Sequence, residues 1–71
     1  MKSLNRPGLL NHLKAMQGRI EYESEEDEGA QEFYGEIQSV IDAVKAGKTD
    51  AEIQDAADWV SISIDAFWVS K

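Results

Sequence analysis

The side chains that could do chemistry in this sequence are carboxylates, and they are crowded into one short segment. Six acidic residues occupy the eight positions from 21 to 28, and we call this segment the acidic run: Glu21, Glu23, Glu25, Glu26, Asp27 and Glu28. Double-stranded DNA carries one negative charge per about 1.7 Å of its axis, and six acids in so short a segment approach that density. The acidic run therefore predicts a surface that mimics a phosphate backbone and occupies the basic groove of a nucleic-acid-binding protein.

Two other interpretations of the acidic run stay open on the sequence alone. It is also typical of a solvated loop that keeps a small protein soluble. Calcium binding is the third interpretation, because carboxylate oxygens are ligands for that ion. The segment lacks the ligand spacing and the mid-loop glycine of an EF-hand, which disfavours calcium.

The remaining candidates for catalysis and metal binding are few. The chain has one histidine and no cysteine, which cannot build a tetrahedral zinc site. General base catalysis by His12 would require a nucleophile or a carboxylate beside it in a pocket, and the nearest acid in the sequence is Glu21. We therefore expect no metal, no cofactor and no enzymatic activity, with His12 at the surface.

Aromatic side chains are more numerous than a chain of 71 residues can fully bury: Tyr22, Phe33, Tyr34, Trp59, Phe67 and Trp68. Phe33 and Phe67 fit the apolar faces of predicted helices, so we expect them in the core. Trp59, Trp68 and Tyr34 fall off those faces. They either pack at the periphery or anchor a homodimer or a partner, since tryptophan is favoured in interfaces.

Helical spacing dominates the segments that must position these side chains. A first helix is predicted over about 7–22, after a cap at Asn5 and after Pro7, whose missing N–H costs nothing at a helix start. Its apolar residues recur at steps of three and four: Leu9, Leu10, Leu13, Met16 and Ile20. A second helix is predicted over about 30–46, ending at Gly47. Its apolar residues are Phe33, Ile37, Val40, Ile41 and Val44.

The third element has two interpretations. Thr49 with Glu52 three residues later is a capping-box pattern, and helical spacing then continues, which predicts a helix over about 49–69. Strand spacing is also present, because apolar residues alternate with serine and aspartate from residue 60 onward. In that alternative a strand over 59–65 pairs with one over 19–23, and the fold is α+β.

We favour the all-α fold, a small three-helix domain. Its most buried residues should include Leu13, Ile37, Ile41 and Val60.

The C-terminal part of the chain carries one family resemblance. The sequence Ala46-Gly47-Lys48-Thr49-Asp50-Ala51-Glu52-Ile53 is followed by Val60-Ser61-Ile62-Ser63 and Ala66-Phe67. This pattern resembles the start of the helix-turn-helix in LuxR-type output domains of bacterial regulators. The resemblance implies a recognition helix after Ser61 and a transcription-associated module, which is the alternative function.

The sequence departs from the family at Gln54, where alanine is usual. It also offers Asp65 and no basic residue before Lys71, whereas phosphate contacts need Lys or Arg.

The length of the chain predicts a single small acidic domain over residues 1–71. A domain of this size buries only about 60% of its unfolded surface, so it needs efficient helix packing, a dimer or a partner. The absence of cysteine suits a reducing compartment. No apolar stretch reaches the length of a signal-peptide core or of a membrane span. We therefore expect a cytoplasmic protein that has no membrane partner.

Charge is divided unevenly along the sequence. Residues 1–20 carry four basic side chains and no acid, whereas residues 21–71 carry three basic side chains and all fourteen acids. The two segments thus have formal charges of +4 and −11, and the net charge is −7. Counterion release by Lys and Arg supplies non-specific affinity for DNA, so direct DNA binding is not expected.

These observations predict an acidic protein-interaction module whose partner is a basic protein that binds nucleic acid. Small acidic domains without cysteine are frequent in phage and mobile elements, where they block host nucleic-acid-binding or defence proteins. By that analogy the chain is interpreted as an inhibitor. The predicted partner-binding residues are the acidic run together with Glu32, Glu36, Trp59 and Trp68.

Overall fold

Three helices account for most of the computed structural model, which describes residues 2–23 and 28–70. The elements follow one another in this order: β1 (Lys2–Leu4), α1 (Arg6–Glu23), α2 (Glu28–Lys45), α3 (Asp50–Trp59), a 3₁₀ turn (Asp65–Phe67) and β2 (Trp68–Ser70). The predicted small three-helix domain is confirmed, and a short antiparallel strand pair accompanies it. None of the helices in the described residues is both long enough and apolar enough to cross a membrane.

Helix α1 begins at a side-chain cap. The Gly8 N–H donates to Asn5 Oδ1 at 3.2 Å, and the Leu9 N–H donates to the Asn5 carbonyl at 3.0 Å as the first helical bond. The cap lies so close to the helix that a Cβ at Gly8 would come within 2.8 Å of Asn5 Nδ2. The Asn5 cap expected from the sequence is therefore present, and it depends on glycine at position 8.

A tight turn joins α2 to α3. Gly47 has a φ of +76°, its N–H donates to the Val44 carbonyl at 3.2 Å, and the Lys48 N–H donates to the Ala43 carbonyl at 3.1 Å. This pair of bonds is a Schellman motif. Two residues later Thr49 Oγ1 accepts from the Glu52 N–H at 3.2 Å, and Glu52 Oε2 accepts from the Thr49 N–H at 3.1 Å. The predicted helix stop and the predicted capping box are both confirmed.

The core is aliphatic and lies where α1, α2, α3 and the C-terminal segment meet. Its buried residues are Leu4, Leu9, Leu13, Ile20, Ile37, Val40, Ile41, Val44, Ile53, Ala57, Val60, Ile62 and Ile64. Each large aliphatic side chain contributes about 1.5–3 kcal/mol by leaving water. The predicted burial of Leu13, Ile37, Ile41 and Val60 is confirmed. Phe33 and Phe67, expected in the core, lie half-buried at its edge.

A polar ladder interrupts the apolar contact between α1 and α2. Gln17 is only 8% exposed, and its Nε2 donates to Gln38 Oε1 at 2.8 Å and to the Tyr34 carbonyl at 3.4 Å. Gln38 Nε2 in turn donates to Asp42 Oδ1 at 2.9 Å. Because a buried amide without partners is costly, these bonds favour the register in which Gln17 lies opposite Gln38.

The predicted third helix over 49–69 is wrong beyond residue 59. The Ser61 N–H donates to the Asp58 carbonyl at 3.0 Å and the Ile62 N–H donates to the Ala57 carbonyl at 2.8 Å, which is a second Schellman motif. A continued helix would place Ile62 two and a half turns from the buried Ile53, on the opposite side and in water. Ending the helix allows Val60, Ile62 and Ile64 all to be buried.

The two strands bring the ends of the described chain together. They pair antiparallel as Lys2 with Ser70, Ser3 with Val69 and Leu4 with Trp68, and the Asn5 N–H donates to the Phe67 carbonyl at 2.6 Å.

The alternative strand pair is wrong, since residues 19–23 form the last turns of α1 and residues 59–65 form no strand. The recognition helix implied after Ser61 is also absent, because residues 62–64 form neither helix nor strand and residues 65–67 form only the 3₁₀ turn.

Candidate protein-interaction surface

The described residues of the acidic run lie at one end of a helical hairpin. Helices α1 and α2 are antiparallel, because Gln17 of α1 contacts Tyr34 and Gln38 of α2 and only positions 24–27 separate their facing ends. Glu21 and Glu23 are exposed in the last turn of α1, and Glu28 is exposed at the first residue of α2. Three predicted site residues, Glu25, Glu26 and Asp27, lie outside the described residues.

An acidic stripe extends from this hairpin end along α2. It consists of Glu28, Glu32 and Glu36, which are exposed and follow each other at steps of four residues. Residues four apart are neighbours on a helix surface, and like charges at that spacing destabilise it by about 0.2–0.5 kcal/mol per pair. No Lys or Arg of the described residues forms an ion pair with any of the three. Within the described residues, the positive end of the α2 dipole favours Glu28, but no cationic side chain offsets the repulsion along the acidic stripe.

The basic residues of the N-terminal segment are dispersed. Arg6 Nη2 donates to Asp50 Oδ1 at 2.7 Å and joins the start of α1 to the start of α3. Arg19 Nε lies 3.8 Å from Glu23 Oε1, but the two side chains are 84% and 60% exposed, so this pair contributes little to stability. Of the four basic residues in the +4 segment, Arg6 is therefore committed to a contact within the fold.

The two tryptophans differ in their surroundings. Trp68 is half-buried, and its Nε1 donates to Gln54 Oε1 at 3.3 Å. Trp59, the last residue of α3, is 81% exposed. Of the two predicted anchors, Trp59 is therefore available to a partner, whereas Trp68 contributes to packing between β2 and α3.

The outer face of α3 carries a feature that the sequence reasoning missed. Glu52, Asp55 and Trp59 are all exposed, and their spacing of three and four residues places them on one side of the helix. Asp58 lies beside them, and its Oδ1 accepts from Gln54 Nε2 at 3.1 Å. Helical spacing from the Thr49 cap could have revealed this face, which we call the Trp59 face.

The lone histidine lies at the surface beside an aromatic ring. His12 is exposed, and its ring centroid lies 5.2 Å from that of Phe67. Within residues 2–23 and 28–70, no three His, Asp or Glu side chains converge as a metal site would require. The exposed carboxylates of the described surface can attract cations by electrostatics.

Comparisons with family models, curated proteins and solved structures found no match to this chain.

Proposed function

We propose that this chain is a non-enzymatic inhibitor that docks its acidic surface on a basic, nucleic-acid-binding protein and takes the place of nucleic acid there. In this proposal it acts in the cytoplasm, in the manner of the small acidic inhibitors of phage and mobile elements. The partner surface comprises the acidic run and the acidic stripe, with Trp59 as a hydrophobic contact.

The observation that carries the proposal is an acidic stripe that has no cationic partner among the described residues. Glu28, Glu32 and Glu36 repel one another and find no cationic partner among the described residues, so they lower the stability of a domain that is already small. Four residues advance a helix by about 6 Å, so the stripe is a row of charges at regular intervals. A basic groove supplies the cations that such a row lacks.

Electrostatic steering explains how such a surface would work. A concentrated negative field speeds the encounter with a basic groove more than it slows dissociation. Exposed charges are screened over about 10 Å at 0.1 M salt, so association should slow as salt is raised. The net charge of −7 extends this field beyond the stripe itself.

The test captures partners from a bacterial lysate on the immobilised chain at low and at high salt, and then competes each captured protein with duplex DNA. We expect basic proteins that are retained at low salt and released by DNA. Captured proteins that bind the chain and duplex DNA simultaneously would contradict mimicry.

Matched variants then identify the surface. Glu32→Gln with Glu36→Gln should slow association with the captured protein and flatten its salt dependence. Asp42→Asn with Asp65→Asn removes the same charge away from the stripe and should have a smaller effect. If both double variants slow association equally, net charge and not the stripe determines binding.

Self-association is a second proposal, which competes with partner binding for Trp59 and is favoured by apolar groups that remain exposed near the C-terminus. Trp59 is 81% and Val69 42% exposed, and apolar surface of this kind is typical of interfaces. Sedimentation at rising concentration should then show a dimer that Trp59→Ala weakens. A monomer throughout the range would remove this proposal and leave the first one intact.

A further inference from the structure

The exposed indole of Trp59 has no explanation within the fold. The side chain is 81% exposed, although a tryptophan buries a large apolar area when it packs. The backbone at Trp59 is nevertheless well defined, because the Schellman motif that ends α3 follows directly and places the buried Ile62 against the domain. Trp59 therefore projects from the end of α3, and its apolar surface is open to a ligand.

The surroundings of Trp59 favour a cation. Asp55 lies one turn before it, and Glu52 lies one turn before that, on the same side of α3. The C-terminus of a helix is the negative end of its dipole, and Trp59 stands at that end. Glu52 is held in the capping box, whereas the Asp55 carboxylate has no hydrogen bond or ion pair within the described residues. One face thus combines an aromatic surface with an unused carboxylate.

We propose that the Trp59 face binds an arginine side chain of the basic partner, an inference that rests on the proposed function. The planar guanidinium stacks on the indole, and its N–H groups donate to the Asp55 carboxylate. Lysine matches the charge but has neither the flat surface for stacking nor the fork of donors for a carboxylate. The acidic surface attracts any basic protein, and the Trp59 face selects those that present arginine.

The test titrates the isotope-labelled full chain with nona-arginine and with nona-lysine and follows both tryptophan indole N–H signals by NMR. The Trp59→Leu variant assigns the two signals. Nona-arginine should shift the Trp59 signal and bind about fivefold more tightly than nona-lysine. The Trp68 signal is an internal control, because its N–H is already bonded to Gln54.

Variants separate the inference from the proposed function. Trp59→Leu should bring the ratio of the two affinities close to one, and Asp55→Asn should weaken nona-arginine by about threefold to tenfold. Glu32→Gln with Glu36→Gln should weaken both peptides equally and leave the ratio unchanged. Asp42→Asn is the matched control for Asp55→Asn and should also keep the ratio.

Two results would overturn the inference while the proposed function stands. One is equal affinity for the two peptides with an unmoved Trp59 signal. The other is a Trp59 signal that shifts with protein concentration alone, which would mean that a second copy covers the face. If the chain bound neither peptide at low salt, that result would contradict both the proposed function and this inference.

Discussion

At residue scale, Ser61 is the clearest case of backbone strain in the described part of the chain, where it is the one non-glycine residue with positive φ, at 59°. A side chain in this left-handed conformation costs about 1–2 kcal/mol relative to the ordinary regions, and glycine escapes that cost. The conformation is maintained because the motif at this position satisfies two N–H groups and buries Ile62.

Ser61→Gly should therefore stabilise the domain by about 1 kcal/mol, measured by urea unfolding. Ser63→Gly is the matched control, since Ser63 is exposed and lacks positive φ, and it should not stabilise. Equal effects of the two changes would show that Ser61 is not strained.

Helix glycines offer a second comparison between single residues. A Cβ at Gly35 would meet nothing within 4 Å, whereas one at Gly8 would meet the capping Asn5 side chain at 2.8 Å. Gly35→Ala should stabilise by about 1 kcal/mol, because alanine restricts the unfolded chain and favours helix. Gly8→Ala should be less stable than Gly35→Ala by about 1 kcal/mol, since it displaces the cap. Thermal unfolding of both variants checks this, and an equal gain from each would contradict the cap geometry.

At the scale of elements, the C-terminal segment is as much a part of the core as the helices. Residues 60–64 bury three aliphatic side chains without forming a helix or a strand. Ile62→Ala should cost about 2–4 kcal/mol and Ile62→Val about 1 kcal/mol. The Val69 side chain is 42% exposed, so Val69→Ala should lower the free energy of unfolding by less than about 1 kcal/mol. Urea unfolding measures all three. An Ile62→Ala variant as stable as Val69→Ala would favour the continued helix instead.

Local signals explain which elements could be predicted from the sequence. The Asn5 cap, the Gly47 stop and the Thr49 capping box each act within a few residues, so their patterns are readable. The end of α3 depends on a serine in a conformation typical of glycine, and a serine gives no such signal. The β1–β2 pair joins positions almost the whole chain apart, and strands of three residues are too short to show a period.

The candidate surface could be predicted only in part for similar reasons. Exposure of the acidic stripe follows from its charge, because an unpaired carboxylate is rarely buried. The difference in exposure between Trp59 and Trp68 could not be predicted, because it depends on where α3 ends. Once α3 ends at Trp59, that indole projects from the helix, and Trp68 moves to the strand that packs on Gln54.

At the scale of the whole molecule, the net charge of −7 opposes binding to any polyanion. Arg6 is committed to Asp50, so the basic segment contributes less than its formal charge. Anisotropy titration with random duplex DNA at low salt, where non-specific binding is strongest, should show none. The captured basic partner serves as the positive control for the duplex. Micromolar affinity of this chain for DNA would contradict the charge argument.

The same charge should make the stability of the domain depend on salt even when no partner is present. Like charges within the acidic stripe and across the molecule repel one another in the folded state, and salt screens that repulsion. Raising the ionic strength should therefore increase the free energy of unfolding, measured by urea titration.

Glu32→Gln with Glu36→Gln should raise that free energy by about 0.5 kcal/mol at low salt and reduce its salt dependence. Asp65→Asn, which removes an exposed charge outside the stripe that has no hydrogen bond or ion pair among the described residues, should do less. If the stripe variant were less stable than the wild type, these glutamates would be supporting the fold, and they would no longer be evidence for a surface reserved for a partner.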